Sequence, residues 1–275
     1  LITGNCQTRA MTGALKIAVI GLGEAGALIA AGLKAAGAEV IGFDVNSPKF
    51  LPVPVAPSAE AAVSEADLVL SVNSATVSLR LAQQLASALK PGAIYADLNT
   101  STPSLKQRLA EQLPEGCFAD VAVLKPVAEL AEKTPMHVSG QSAKRFIDLL
   151  QPFGMQLKYV SEVPGEAAAR KLIRSIVAQG TAAVLVDALW AAKAMNLDEW
   201  AMQEIKNEFE SSTAETVQSY LNNTARHAKR NSVEMADVVE MLSDAGYDST
   251  MVGPIELTLS RVMHGKRIPF ASLED

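Results

Sequence analysis

Cysteine is nearly absent from this sequence: Cys6 and Cys117 stand alone among 275 residues. Two cysteines make neither a disulfide framework nor a thiolate metal site, so a reducing cytoplasm is the expected setting. Histidine is equally sparse. His137, His227 and His264 lie without metal-ligand spacing, and none pairs with a carboxylate in helical register, so no metal is expected. Positive charge is also short. The balance is -6 with the basic residues dispersed, which speaks against a nucleic-acid surface. The one short basic run, Arg226-His227-Ala228-Lys229-Arg230, reads as a solvated helix end or as a wall for an acidic substrate group. No uninterrupted apolar run reaches the roughly 18 residues of a membrane span. The N-terminus lacks the charged-then-apolar layout of a secretory signal. Leu1 to Ala10 matches nothing downstream, and Met11 reads as the natural start.

What is present is apolar mass and glycine in one telling place. Hydrophobic residues make up 49% of the chain, ample for a sizeable core, and the length suits two domains. The stretch from Leu15 to Asp44 organises the rest. Lys16-Ile17-Ala18-Val19-Ile20 reads as a buried parallel strand. Gly21-Leu22-Gly23-Glu24-Ala25-Gly26 follows, then a helix to Gly37 and a second strand from Glu39 to Phe43. Glycines at these three places allow a tight turn, close approach of a pyrophosphate, and close packing of helix on strand. The helix N-terminus offers open N–H groups to the phosphates. Asp44, at the end of the second strand, is placed to accept hydrogen bonds from a ribose 2′-OH and to repel a 2′-phosphate. Val45, Asn46 and Ser47 follow it, with no arginine to receive that phosphate. NAD is therefore expected over NADP. A capping aspartate is the alternative reading of Asp44.

Pro48 to Pro57 reads as an extended connector. Strands are expected at Ala66–Ser71, Ala93–Asp97, Cys117–Val123, Met136–Ser139 and Gln156–Val160, with helices between them over Ser74–Leu89, Ser104–Leu113 and Ser142–Leu150. That alternation predicts a parallel sheet covered on both faces. Ser71, Val72 and Asn73, after the third strand, should line the dinucleotide path, with Asn99 and Thr100 beside the nicotinamide. From Glu166 to Ala194 the chain is almost continuously helical, about 44 Å at a rise of about 1.5 Å per residue. Beyond it the composition stays helical, with stops near Asn196, Asn231 and Gly246. The fold class is thus α/β: an N-terminal Rossmann-type sheet at 14–164, a long interdomain helix, and an all-α domain at 165–275.

Within the long helix, Lys171, Arg174 and Ser175 share one face. Their neighbours are almost all apolar, and lysine there is costly unless it finds a partner or reaches water. A desolvated lysine beside another cation has a lowered pKa, which suits proton transfer. The alternative is a snorkelling or structurally paired lysine.

These segments together resemble the β-hydroxyacid dehydrogenase family, which includes 3-hydroxyisobutyrate and 6-phosphogluconate dehydrogenases. Asp97-Leu98-Asn99-Thr100-Ser101-Thr102-Pro103 is similar to that family's D-S-S-T-x-x-P segment. Phe118-Ala119-Asp120-Val121-Ala122-Val123 is similar to its F-x-D-A-P-V. Gly165-Glu166-Ala167-Ala168-Ala169-Arg170-Lys171 falls where the family places a glycine, small residues and the catalytic lysine. The resemblance implies Lys171 as general acid/base, with Thr100, Ala122, Val123 and Ser175 at the substrate. There are departures. Leu124-Lys125-Pro126 replaces the S-G-G that holds the substrate carboxylate, and Ser175 replaces an asparagine. Lys125 and Arg174 are candidates for the missing carboxylate donors. The helical part looks closest to a less characterised branch with its own all-α C-terminal domain.

The expected function is hydride transfer between NAD and a small hydroxy acid or its keto form. The alternatives are an NADPH-dependent imine reductase-like enzyme and a dinucleotide-binding protein without turnover. Apolar residues on several faces of the helical half, among them Ile173, Ile176, Leu185, Leu189, Val238 and Met241, predict a homodimer through that domain.

Overall fold

The computed structural model describes residues 14–46 and 52–272. The Met11 start, Ser47 and the first part of the proline-rich connector lie outside them. Two compact units divide the chain, one ending at Arg174 and the other beginning at Ser175.

The first unit is built on β1 (Lys16–Ile20), α1 (Glu24–Ala35), β2 (Glu39–Phe43), α2 (Ala59–Val63), β3 (Leu68–Ser71), α3 (Ala75–Leu85), β4 (Ile94–Asp97), α4 (Pro103–Glu111), β5 (Phe118–Val123), α5 (Val127–Leu130), β6 (Met136–Ser139), α6 (Ala143–Leu150) and β7 (Leu157–Ser161). The seven strands form one sheet in the order β2-β1-β3-β4-β5-β6-β7. Along β1, Ile17 and Val19 join one core while Ala18 and Ile20 join the other. Successive side chains of a strand point to opposite faces, so a strand apolar throughout is one covered on both sides. Order reverses at β1 and β3, and the crevice outside their carboxyl ends is the place where such sheets bind ligands.

One expectation is corrected. The sheet is not wholly parallel, because β5 and β6 pair antiparallel. Residues 124–135 link them and hold only the short α5 and a 3-10 turn at Ala131–Lys133, and the Leu124 N–H closes onto the Pro135 carbonyl at 3.0 Å. A parallel return usually carries a full helix across the sheet face, and these short turns do not supply one. α6 then supplies such a crossover, so β7 runs parallel to β6.

The second unit takes up most of α7 (Glu166–Ala194), followed by α8 (Asp198–Ser211), α9 (Ala214–Asp244) and α10 (Val252–Met263). The stop at Asn196 is present as a left-handed residue, φ 58°. The stop near Asn231 is not. α9 runs through it, and the irregularity falls at His227, φ -122° and ψ 17°. Buried Asp187 ties α7 to the α9–α10 turn, accepting from Ser249 Oγ at 2.6 Å and Tyr247 OH at 2.9 Å. Counting uninterrupted apolar runs also missed a property of α7. By length and mean hydropathy it is the one helix among the described residues able to cross a membrane, and little of that stretch is buried within the chain.

Candidate active site

The glycine turn after β1 is shaped by contact with β3. Gly21 has φ +103°, and a Cβ there would lie 2.0 Å from the Val72 carbonyl oxygen. A Cβ on Gly26 would lie 1.9 Å from the Gly21 carbonyl oxygen, so α1 packs down on its own turn. Gly23 differs. A Cβ on it would meet nothing within 4 Å, so its missing side chain leaves open space. Gly23 is also the N-cap of α1 and gives no side-chain cap, which leaves the first-turn N–H groups of Glu24, Ala25 and Gly26 facing outward for an anion.

Asp44 is held by that same turn. Its Oδ2 accepts the Leu22 N–H at 2.7 Å and its Oδ1 accepts the Asn46 N–H at 2.8 Å. A carboxylate has about four acceptor positions, so both oxygens retain capacity for ribose hydroxyls. Beside it opens a cavity of about 380 Å³ walled by Gly21, Asp44, Val45, Asn73 and Arg80. Arg80 comes from α3, and sequence reading missed it by looking for a cation only directly after Asp44. The spacing of Val77, Leu81 and Gln84, which line the same cavity, was the available signal.

At the carboxyl ends of β3 and β4 the expected residues come together as a polar ladder. The Asn73 N–H donates to Asn99 Oδ1 at 2.6 Å, Asn73 Nδ2 to Ser71 Oγ at 3.1 Å, and Asn99 Nδ2 to Asp97 Oδ1 at 2.5 Å. Next to it, Lys171 Nζ donates to Thr100 Oγ1 at 2.6 Å. Lys171 is half-buried, and its pKa lies below the ordinary lysine value. Burial is the main cause, followed by the Lys106 charge, while Asp120 opposes and Arg174 adds. Asn99, Thr100, Ser101, Asp120, Ala122 and Lys171 close around a cleft under this pair that is too narrow for a water molecule. The buried Ser101 hydroxyl finds no hydrogen-bond partner among the described residues.

Arg174 Nη1 donates to the Leu124 carbonyl at 2.7 Å, which places its guanidinium at the exit of β5. Val123 is half-buried there and Lys125 is exposed; Lys125 is not among the residues lining the Lys171 pocket. Ser175 begins the second unit. Sequence reading also missed a buried lysine, Lys106 of α4, which lies 2.7 Å from Asp97 Oδ2 and 3.0 Å from Asp120 Oδ1. Two aspartates inside otherwise apolar strands call for a buried partner, but nothing in the sequence says that Lys106 supplies it.

Residues 16–140 match the NAD-binding domain of 6-phosphogluconate dehydrogenase. The glycine turn, Gly21 to Gly26, lies within the matched stretch. Residues 192–262 match a second family, a domain of unknown function designated DUF1932. The expected pairing of this cofactor domain with a helical domain of its own kind is therefore present. A conserved hypothetical protein from Sinorhizobium meliloti 1021 is 28% identical, with TM-score 0.60 over 96% of this chain and 93% of that one. The conserved protein MTH1747, described as structurally similar to 3-hydroxyacid dehydrogenases, is 25% identical, with TM-score 0.61 over 91% of this chain and 97% of that one. A variant imine reductase from Myxococcus stipitatus in complex with NAD+ is 17% identical with TM-score 0.75, over 92% of this chain and 95% of that one. At that identity the likeness is one of fold.

Proposed function

We propose that this protein is an NAD-dependent oxidoreductase acting on a small hydroxy acid or its keto form, with Lys171 as the general acid/base. The observation that carries the reading is the Lys171 amine on the Thr100 hydroxyl at 2.6 Å, with its pKa lowered by burial, at the carboxyl ends of the strands where the glycine turn opens. The residues fit a dinucleotide: Gly23 leaves space at an uncapped helix N-terminus, and Asp44 stands beside a cavity. The backbone of Gly21 to Gly26 would hold the pyrophosphate, Asp44 and Val45 the adenosine ribose, and Ser71, Val72, Asn73, Asn99 and Thr100 the path towards the nicotinamide. When bound, the cofactor supplies the hydride acceptor or donor.

The chain's own residues manage the proton. A neutral Lys171 amine takes it from the substrate hydroxyl, and the ammonium returns it when a carbonyl is reduced. Thr100 Oγ1 orients the amine. The remaining N–H groups of Arg174, or Lys125, would hold a carboxylate. We take 14–164 as the cofactor domain and 165–275 as the substrate and dimerisation domain. A second copy, rather than lipid, is the cover we assign to the exposed face of α7.

The test is a screen of 2- and 3-hydroxy acids with NAD+, read as absorbance of the reduced cofactor. The second reading, an imine reductase, is favoured by the shared fold and by Arg80 on the adenosine cavity, a cation able to accept a 2′-phosphate. It predicts that NADPH is consumed with cyclic imines and that no hydroxy acid is oxidised.

A further inference from the structure

Three charged side chains lie beneath Lys171, closed off from water. Lys106 is 1% exposed, and Asp97 and Asp120 are 0% exposed. Besides its two carboxylate contacts, Lys106 Nζ donates to the Asp97 carbonyl at 2.8 Å. Taking an ion out of water costs several kcal/mol even after relaxation, so such a cluster is a poor device for stability. Its connections suggest another role. Asp120 Oδ2 accepts the Ala168 N–H at 3.0 Å and the Ser139 hydroxyl at 3.0 Å. Ser139 Oγ in turn accepts the Ala167 N–H at 2.9 Å. These N–H groups belong to the first turn of α7, where no intrahelical acceptor exists. Lys171 stands one turn further on. On the other side, Asp97 Oδ1 accepts from Asn99, the neighbour of the Thr100 that receives the Lys171 hydrogen bond. The helix that carries the amine and the loop that carries its partner are both anchored through one lysine.

We infer that Lys106 is a positioning residue for Lys171: it joins Asp97 to Asp120 and so fixes the start of α7, and with it the Lys171 amine, against the loop after β4 that carries Thr100. This rests on the reading of Lys171 as the proton carrier, but its test does not need turnover. The charges acting on the amine are Lys106 from α4, Asp120 from β5 and Arg174 from α7 itself. A cluster that only braced the fold would leave the titration of Lys171 where it is.

The measurement is NMR titration of the full-length protein after reductive methylation with isotope-labelled formaldehyde, the Lys171 signal being assigned by its loss in Lys171→Arg. Lys106→Met should move the Lys171 midpoint up, because a like charge is lost and two carboxylates are left uncompensated. Lys106→Arg, which keeps the charge, should restore it. Asp120→Asn keeps an oxygen for the Ala168 N–H but loses the negative charge, so it should move the midpoint down. A folded Lys106→Met protein with an unmoved midpoint overturns the inference, and so does a shift of the same sign in both variants. If Lys106→Met fails to fold, Asp120→Asn decides: a downward shift supports the inference, and no shift or an upward one overturns it. Should the midpoints move as stated while Lys171→Ala retains turnover, the positioning stands and the catalytic reading of Lys171 fails.

Discussion

The Lys171 amine donates to the Thr100 hydroxyl at 2.6 Å across 71 positions of sequence, and that bond joins the start of α7 to the loop after β4. Two consequences for activity follow from the pair. Lys171→Ala should lower kcat by roughly 10² to 10⁴, the span expected when a general acid/base is lost, with NAD affinity nearly unchanged. Arg174→Ala should act on KM instead. Turnover within a few-fold of the parent in Lys171→Ala would assign the proton step elsewhere.

The direction of the pKa shift fixes a pH dependence. Burial first, and the Lys106 charge second, hold Lys171 below its usual 10.5. Oxidation needs the neutral amine, so its rate should rise with pH through a midpoint below that of free lysine, and carbonyl reduction should fall over the same range. Stability follows the same sign. Between the folded and unfolded pKa the unfolded chain binds more protons, so unfolding free energy rises with pH across that window. Denaturant midpoints measured against pH should show the rise in the parent and lose it in Lys171→Met.

Cofactor choice is a contest between Asp44 and Arg80. With Asp44 on the ribose, NAD should bind at least about tenfold more tightly than NADP, a difference of about 1.4 kcal/mol. Asp44→Ser with Val45→Arg should narrow or reverse the ratio, and adding Arg80→Ala should take back part of the gain in NADP. Fluorescence titration with both cofactors reads it. Equal affinities in the unaltered protein would remove Asp44 from this role.

The glycines of the turn should separate folding from binding. Gly23→Ala places a methyl group in open space, so Tm should hardly change while NAD affinity falls at least about tenfold through lost close approach. Gly21→Ala meets the Val72 carbonyl at 2.0 Å with φ +103° and should lower Tm outright. Calorimetry paired with cofactor titration distinguishes the two. A Gly23→Ala protein that binds NAD as the parent does would move the pyrophosphate away from this turn.

Assembly is the remaining test. Ile176, Val177, Trp190 and Trp200 are 72%, 69%, 60% and 62% exposed in the single chain, large apolar side chains that a second copy would cover. Light scattering at micromolar concentration without detergent should give twice the 29.0 kDa of one chain. A monomer mass, or a protein that stays in solution only with detergent, would defeat the dimer.

The parts of the fold written in local pattern were legible. The apolar run of β1, the three glycines and Asp44 lie within one contiguous stretch, and Lys171 announces itself as a cation in an apolar helix. The parts made by distant pairing were not. Lys106 looks like an ordinary surface residue of α4 until Asp97 and Asp120 are seen beneath it. Arg80 lines the cavity beside Asp44 because of how α3 is rotated, not because of its distance from Asp44 in sequence. The direction of β6 goes with a link that holds only short turns, and strand patterning reads the same forwards and backwards. α9 continues past Asn231 despite that residue's weak helix propensity.

The two helix starts that face the site are finished in opposite ways. The first turn of α7 has its Ala167 and Ala168 amides tied to Ser139 and Asp120, whereas the first turn of α1 has no side-chain cap at all. Amide hydrogens usually exchange quickly in a first turn, because no carbonyl of the helix covers them. Here those of α7 should exchange with solvent deuterium as slowly as a helix interior, and those of Glu24 to Gly26 should exchange fast. On the proposed function, α7 would thus be locked before any ligand arrives, while the first turn of α1 would be completed by the ligand itself.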